Sequence, residues 1–521
     1  MSSQKHNVTT EVSRVGALTG FSRILGLVRE MLTSRLMGAG LEQSAFVTAF
    51  QIPNLFRKLF GEGALTAAFV PVFKSRLEAG DDAEAHRLAR AVASMVFLLM
   101  AALCVAGIIG ISVALPFVSP DGKAASVLRL TRIMLPYAAL ICTAAFAMGV
   151  LNGLGKFGRA AFAPAFLNIV WIATLVALYF FPELSIWQRI EIVSWSVLLS
   201  GLLQMVYLLR AAAREGVTLS LTFRAWREAN VAFVWRNTFI GALGMGAIQI
   251  NLVMDNALAL YAADYGAAAI QYAERIVYLP LGVVATAFVT VLLPTLSGRF
   301  AKNELSDARS LLGKSLEEML ALMLPAAAGL FLLSHEITEL IYEGRAFTQL
   351  HTIYVSRALA CYALGLVAFS LYKMLSVWFH AQKDVRTPLK VGVSMIAINL
   401  SFNIASIIFL PDGWKHAGIA ASTVLCSFLS TTALALIARH RRIAPDFRAI
   451  GANAARLCAA TLIMALAVYF TRRYTYHLIY TQGLLPFFSL LLPLTAALLT
   501  YTISARFLCP QVISRMLGKV R

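Results

Sequence analysis

The sequence predicts an all-α polytopic membrane protein of about 14 transmembrane helices: two pseudo-symmetric six-helix lobes plus two C-terminal helices. Three observations carry this. Apolar residues make up 59% of the 521 and charged residues only 14%, whereas soluble domains carry about 25% charged residues. Apolar runs long enough for a spanning helix of about 20 residues follow one another almost end to end. Lys and Arg gather in every second connection.

The candidate spans, in order, are 14–37, 42–73, 90–118, 126–153, 160–182, 188–211, 235–262, 267–298, 312–334, 352–379, 388–410, 416–438, 451–471 and 483–508. The first two are the least apolar because they carry charges. Connections after even-numbered spans, with their flanks, hold 22 Lys and Arg, from Lys74 and Arg76 through Lys156 and Arg159 to Arg439 and Arg448. Those after odd-numbered spans hold 7, among them Arg35, Lys123 and Arg345. This bias places both termini in the cytoplasm and favours an even number of spans. Span two ends in AFVPVF (68–73) after Arg57, and span eight carries AFVTVLLP (287–294) after Arg275. The echo suggests lobes at 1–213 and 214–445, with 446–521 an appendage of two helices. Duplicated bundles of this kind hold substrate between their halves.

The net charge of +19 does not indicate a nucleic-acid partner, because the basic residues sit in short loops between apolar runs and form no binding motif. The cysteines (Cys104, Cys142, Cys361, Cys426, Cys458, Cys509) lie singly in apolar surroundings. They read as small core residues rather than as disulfides or metal ligands. The first apolar stretch contains Arg23 and Arg29, so it is expected to be retained rather than cleaved. No Walker A loop, HExxH or GxSxG is present, which argues against an enzyme.

Cations inside the spans are the strongest functional signal. Arg23, Arg29, Arg57 and Lys58 fall within the first two spans, and Arg275 within the eighth. A cation at the centre of a spanning helix costs about 2.5–3.5 kcal/mol on insertion scales, so such residues mark water-filled pathways by default. Guanidinium groups stay charged and bind phosphate oxygens bidentately. Arginines from both lobes facing one cavity would suit a pyrophosphate. The alternative is that each snorkels to an interface or pairs with Glu30, Glu62 or Glu274. Arg23 and Arg29 are six residues apart, which turns them about 120° from each other on one helix. Lys373 in span ten is a further intramembrane cation.

A second set is polar and anionic: Asp255 with Asn251 one turn before it, Asn399 and Asn403 on one helix face, and the hydroxyls of Ser422 and Thr423. Asp255, Asn399, Asn403 and Thr423 together are a plausible ligand set for Na⁺. The same residues could instead hydrogen-bond helices together. Gly38, Gly40, Gly61, Gly63, Pro53, Pro136 and Pro280 punctuate the spans, as is tolerated where backbone lines a cavity.

FSRILGLVRE (21–30), GAG (38–40), PNLFRKLFGEGALTAAFVPVF (53–73), YAERIVYLPLGVVATAFVTVLLPTLS (272–297), KDVRTPLK (383–390) and KHAGIA (415–420) resemble, in order, blocks of the MurJ (MviN) lipid II flippase family. That family lies within the superfamily of multidrug, oligosaccharidyl-lipid and polysaccharide exporters. The resemblance spans nearly the whole chain. It implies fourteen helices, a cationic cavity and a groove formed by the last two helices. It further implies that Arg23, Arg29, Arg57 and Arg275, with Lys58, Glu62 and Lys373 nearby, handle a lipid-linked substrate. Two positions depart from the family pattern: Ser44 and Tyr278 stand where acids are often found. The expected activity is movement of lipid II from the cytoplasmic to the outer leaflet of the inner membrane by a monomer without cofactor. Na⁺ or the membrane potential would drive it, and the partners would be lipid II and membrane lipids. Export of another polyprenyl-linked glycan of O-antigen type, cation-coupled drug antiport, and a scaffold role in cell-wall assembly are the alternatives. Drug antiport would favour twelve spans and an acidic cavity.

Overall fold

The computed structural model describes residues 2–61, 64–222, 229–482 and 486–516. It is helical throughout, and the sole β feature among the described residues is an isolated bridge between Gly344 and Phe347. Two compact units are present. One comprises Met1–Ala267 with Gly344–Phe347, the other Ala268–Glu343 with Thr348–Arg521.

The first unit contains α1 (Ser2–Met37), α2 (Leu41–Phe56), α3 (Ala64–Glu78), α4 (Asp82–Ala114), α5 (Lys123–Met134), α6 (Tyr137–Gly153), α7 (Phe157–Phe162), α8 (Ala165–Tyr179), α9 (Ile186–Arg214) and α10 (Ala229–Ala262). Its larger core joins Phe46 of α2, Tyr137 and Leu151 of α6, Trp171 and Leu175 of α8, and Val197 of α9. A second core joins Leu65, Phe69 and Phe73 of α3 to Val92 and Val96 of α4 and Phe146 of α6. Gly38 turns α1 into α2 at φ +71°, backbone that glycine adopts at little cost. Lys123, opening α5, donates to the carbonyls of Leu260 (3.0 Å) and Tyr261 (3.4 Å) at the end of α10. It also pairs with Asp264 at 2.8 Å, a cation at a helix C-terminus.

The second unit contains α11 (Gly266–Pro280, which starts in the first), α12 (Thr286–Ala301), α13 (Leu305–Leu332), α14 (Ser334–Tyr342), α15 (Gln349–Ala381), α16 (Arg386–Phe409), α17 (Lys415–His440), α18 (Phe447–Gln482), α19 (Pro486–Leu508) and α20 (Pro510–Met516). Here α15 packs on α13 and α17, and α18 pairs with α19 and rests on α13.

Among the described residues ten helices are long and apolar enough to cross a membrane, or eleven if α5 and α6, bent by 45°, form one span. They coincide with eleven of the fourteen candidates. The exceptions are the first, second and seventh, and the first two of these carry Arg23, Arg29 and Arg57. Proline breaks account for the irregularities: α5 yields to α6 at Pro136, and α7 to α8 at Pro164. Span two is interrupted by a π-helical turn, Arg57–Gly61. Span eight has its own at Leu281–Ala285, straight after Pro280. All six cysteines are free, yet Cys458 is exposed on α18 and not in the core.

The loop between α15 and α16 is tied to the end of α17. Asp384 accepts from the Thr387 N–H (3.0 Å), the Thr387 hydroxyl (2.6 Å) and Arg441 Nη1 (2.7 Å). Burial alone would raise its carboxyl. These hydrogen bonds and the Arg441 charge outweigh that and hold it at about 2, below the ordinary 3.8. A depressed carboxyl contributes stability above its unfolded value and loses it as pH falls. The expected window is therefore pH 3.8 down to about 2. Asp384→Ala should cost about 1–2 kcal/mol at neutral pH, a difference that shrinks across that window in denaturant titrations of the detergent-solubilised protein. A difference of constant size down to pH 2 would refute the assignment.

Candidate functional site

In the first unit the charged residues of α1 and α2 take different positions. Arg23 lies exposed on α1 while Arg29 is buried, which their separation of about 120° around the helix allows. Arg29 is 6% exposed and Glu30 5%. Its Nη2 donates to Glu30 Oε1 at 2.6 Å and its Nη1 to Asn168 Oδ1 of α8 at 3.0 Å. The guanidinium lies 4.5 Å from the Trp171 ring centroid. Asn168 is itself oriented by donating to the Ser22 carbonyl at 3.0 Å. Arg29 is thus a charge kept inside the unit by an adjacent acid, an amide and an aromatic face.

Arg57 opens the π-helical turn that follows Pro53 and is half-buried, as is Lys58. Its Nε donates to Asn54 Oδ1 at 2.8 Å, one turn earlier on α2. The bond uses the inner nitrogen of the fork. π-Turns of this kind occur mostly as single bulges, frequently at functional sites. Glu62, next along the chain, lies outside the described residues. Ser44, where an acid is often found in the family, is fully buried on α2. Asp255 is 4% exposed on α10 and accepts from Asn251 Nδ2 at 3.2 Å.

In the second unit Arg275 and Tyr278 are exposed on α11, ahead of the π-turn at Leu281. Glu274 Oε1 accepts from the Tyr362 hydroxyl at 3.3 Å. Lys373 is half-buried on α15. Asn399 and Asn403 share a face of α16: Asn403 Nδ2 donates to Asn399 Oδ1 at 2.9 Å, and Asn399 Nδ2 to Thr423 Oγ1 of α17 at 3.4 Å. These three residues form one hydrogen-bonded cluster. Asp255 belongs to the other unit. Ser422 turns away and donates to the Gly418 carbonyl. His416, buried at the start of α17, donates from Nε2 to the Tyr354 carbonyl at 2.8 Å, which accounts for it structurally. Among the described residues no group of three or more His, Cys, Asp or Glu is placed to hold a metal.

Three residues of the Arg29 and Arg57 environments are not singled out by sequence patterns: Asn54, Asn168 and Trp171. Asn168 carried a usable signal, being an amide within the apolar stretch FLNIVW.

An all-helical, multi-pass membrane protein that keeps paired and unburied arginines within its least apolar helices has the makings of a carrier for anionic cargo. The family described as lipid II flippase MurJ matches residues 33–489. The chain belongs to that family. It is 34% identical over 471 residues to the probable lipid II flippase MurJ of Rhizobium tropici, covering 88% of this chain and 86% of that one. It is 30% identical over 446 residues to the lipid II flippase MurJ of Burkholderia cenocepacia, covering 84% and 85%. Its fold is similar to a solved lipid II flippase MurJ in an inward closed conformation, with TM-score 0.79 and 23% identity over 96% of this chain and 99% of that one. It is also similar to an inward-facing multidrug resistance MATE family transporter of the MOP superfamily, with TM-score 0.65 and 17% identity over 81% and 94%.

Proposed function

We propose that this chain is a lipid II flippase of the bacterial inner membrane, moving the lipid-linked peptidoglycan precursor from the cytoplasmic to the outer leaflet by alternating access. The observation that carries the reading is the placement of permanent cations in the first, second and eighth spans of a chain that belongs to this family. Arg29, Arg57 and Arg275 receive the pyrophosphate, with Arg23, Lys58, Glu62 and Lys373 along its path. The polyprenyl tail stays in lipid or in the groove of the last two helices. No covalent bond changes, so the protein works as a carrier and not as a catalyst of bond chemistry. Both termini lie in the cytoplasm, in keeping with the Lys and Arg bias, and the chain acts as a monomer. A cationic cavity is ill suited to the cationic drugs of multidrug antiporters, which leaves export of another polyprenyl-linked glycan as the second reading.

Replacement of the resident flippase in depleted cells is the direct test. This chain should restore lipid II exposure on the outer leaflet. An inserted, abundant protein that restores none, or that restores only another glycan's export, would reject the assignment.

The transmembrane potential is one driver, since each charge moved is worth about 2.3 kcal/mol per 100 mV. Na⁺ is the other: the Asp255 carboxylate, the Asn399 and Asn403 amide oxygens and the Thr423 hydroxyl are a hard-oxygen donor set. Asp255→Asn should then flatten the dependence of flipping on external Na⁺. An unchanged dependence would leave Asp255 a structural role with Asn251.

A further inference from the structure

Each unit contains the same joint at an end that the Lys and Arg bias assigns to the cytoplasm. In the first unit α6 ends at Gly155, φ +74°, and the Lys156 N–H donates to the Leu151 carbonyl. In the second, α15 ends at Lys383, φ +62°, and the Asp384 N–H donates to the Phe379 carbonyl. Both are the six-to-one closure of a helix by a left-handed residue. The partner helices end alike. α9 closes through Gly216, φ +86°, with Val217 N–H to Ala212 carbonyl, and α17 through Arg442, φ +56°, with Ile443 N–H to Ala438 carbonyl.

The side chains that join the two ends occupy matching positions. Glu215, just before the left-handed Gly216, accepts from Lys156 at 3.0 Å and Arg159 at 2.6 Å. Arg441, just before the left-handed Arg442, donates to Asp384 at 2.7 Å and to the Thr387 hydroxyl at 3.0 Å. Lys156 and Asp384 directly follow the left-handed residue of the first turn, and Arg159 and Thr387 lie three positions further on. The register is the same in both joints, and the signs are exchanged.

We propose that Lys156, Arg159 and Glu215, and separately Asp384, Thr387 and Arg441, are two copies of one clasp with reversed polarity. They act as positioning residues that fix a helix hairpin to its neighbour through the transport cycle. What each joint requires is an opposite pair at two fixed places, in either orientation. Two left-handed turns hold the backbones in one geometry, so the charged groups meet whichever side carries the acid. Neither clasp touches the arginine set, so this goes beyond the proposed activity and does not depend on it.

The test exchanges the clasps in the full-length protein in lipid nanodiscs. Glu215→Arg alone sets three cations against one another. It should speed amide exchange at 152–162 and 212–217 by about fivefold, the factor for an exposed ion pair at the top of its usual range. Asp384→Lys should do the same at 380–390 and 438–443. Installing the second unit's clasp in the first (Lys156→Asp, Arg159→Thr, Glu215→Arg) should return exchange to within about twofold of the parent. The neutral Glu215→Gln gives a milder version, should a reversal impair folding. If the transplanted clasp behaves like the single reversal, or if Glu215→Arg leaves local exchange unchanged, the proposal fails. Either result is read from exchange alone, independently of whether the protein flips lipid II.

Discussion

Arg57→Ala is expected to abolish restoration of lipid II exposure while membrane abundance stays near the parent level. The side chain is half-buried and donates to Asn54 through Nε, so its truncation removes less buried surface than that of a fully buried arginine. Hydrogen bonds to charged groups contribute about 1.5–3 kcal/mol each, and a bidentate phosphate contact uses two. The expected fall in flipping rate is therefore at least about a hundredfold. Arg57→Lys keeps the charge but gives up the planar fork, and should recover only part of the activity. Arg275→Ala, on the exposed face of α11, should match Arg57→Ala in both readouts. Full activity in either alanine variant, measured in depleted cells, would remove that residue from the site.

Arg29→Ala should behave differently, because its carboxylate partner is buried with it. Removing one member of a buried ion pair costs about 3–5 kcal/mol by leaving the other uncompensated. The Arg29 and Glu30 side chains are 8% and 7% exposed. Arg29→Ala should thus lower both abundance and activity. Adding Glu30→Ala should return much of the abundance, since both members of the buried pair are then removed together, without returning transport. Abundance measured by quantitative blotting separates the two contributions. If Arg29→Ala is as abundant as the parent, the Glu30 pair is not what holds it. If the double variant transports, Arg29 has no role with substrate.

Much of this arrangement was legible in the residues. Apolar runs placed fourteen candidate spans, and eleven of them coincide with helices apolar enough to cross a membrane, because a helix in hydrocarbon must be apolar along most of its surface. The spans that hold Arg23, Arg29 and Arg57 fell below that threshold, and their charges were themselves the clue. The spacing of Arg23 and Arg29 left room for different environments, and Asn399 with Asn403 met as an i, i+4 pair should. What was hidden depends on contacts between segments far apart in the chain. Glu30 was one of three acids that could have paired with an intramembrane arginine, and its partnership with Arg29 is visible only in the packed structure. Asn168 and Trp171 reach Arg29 from a helix about 140 residues away and announce themselves by no periodicity. The π-turns were foreshadowed by Pro53, Gly61 and Pro280, but punctuation alone does not distinguish a wide turn from a kink.

The wide turn at Arg57–Gly61 has a consequence for what span two tolerates. A π-turn accommodates one residue more than an α-turn, and each residue of an α-helix advances the rotation by about 100°. Dropping a single residue such as Leu59 would let the turn relax into regular α-helix while the residues on either side of it keep their phase. A residue dropped inside α3, between Ala64 and Phe69, has no such slack: it would rotate Phe69 by about 100° away from Phe146, the ring against which it now stacks edge-on. A change of length is absorbed at the wide turn and is felt at once in the regular helix that follows.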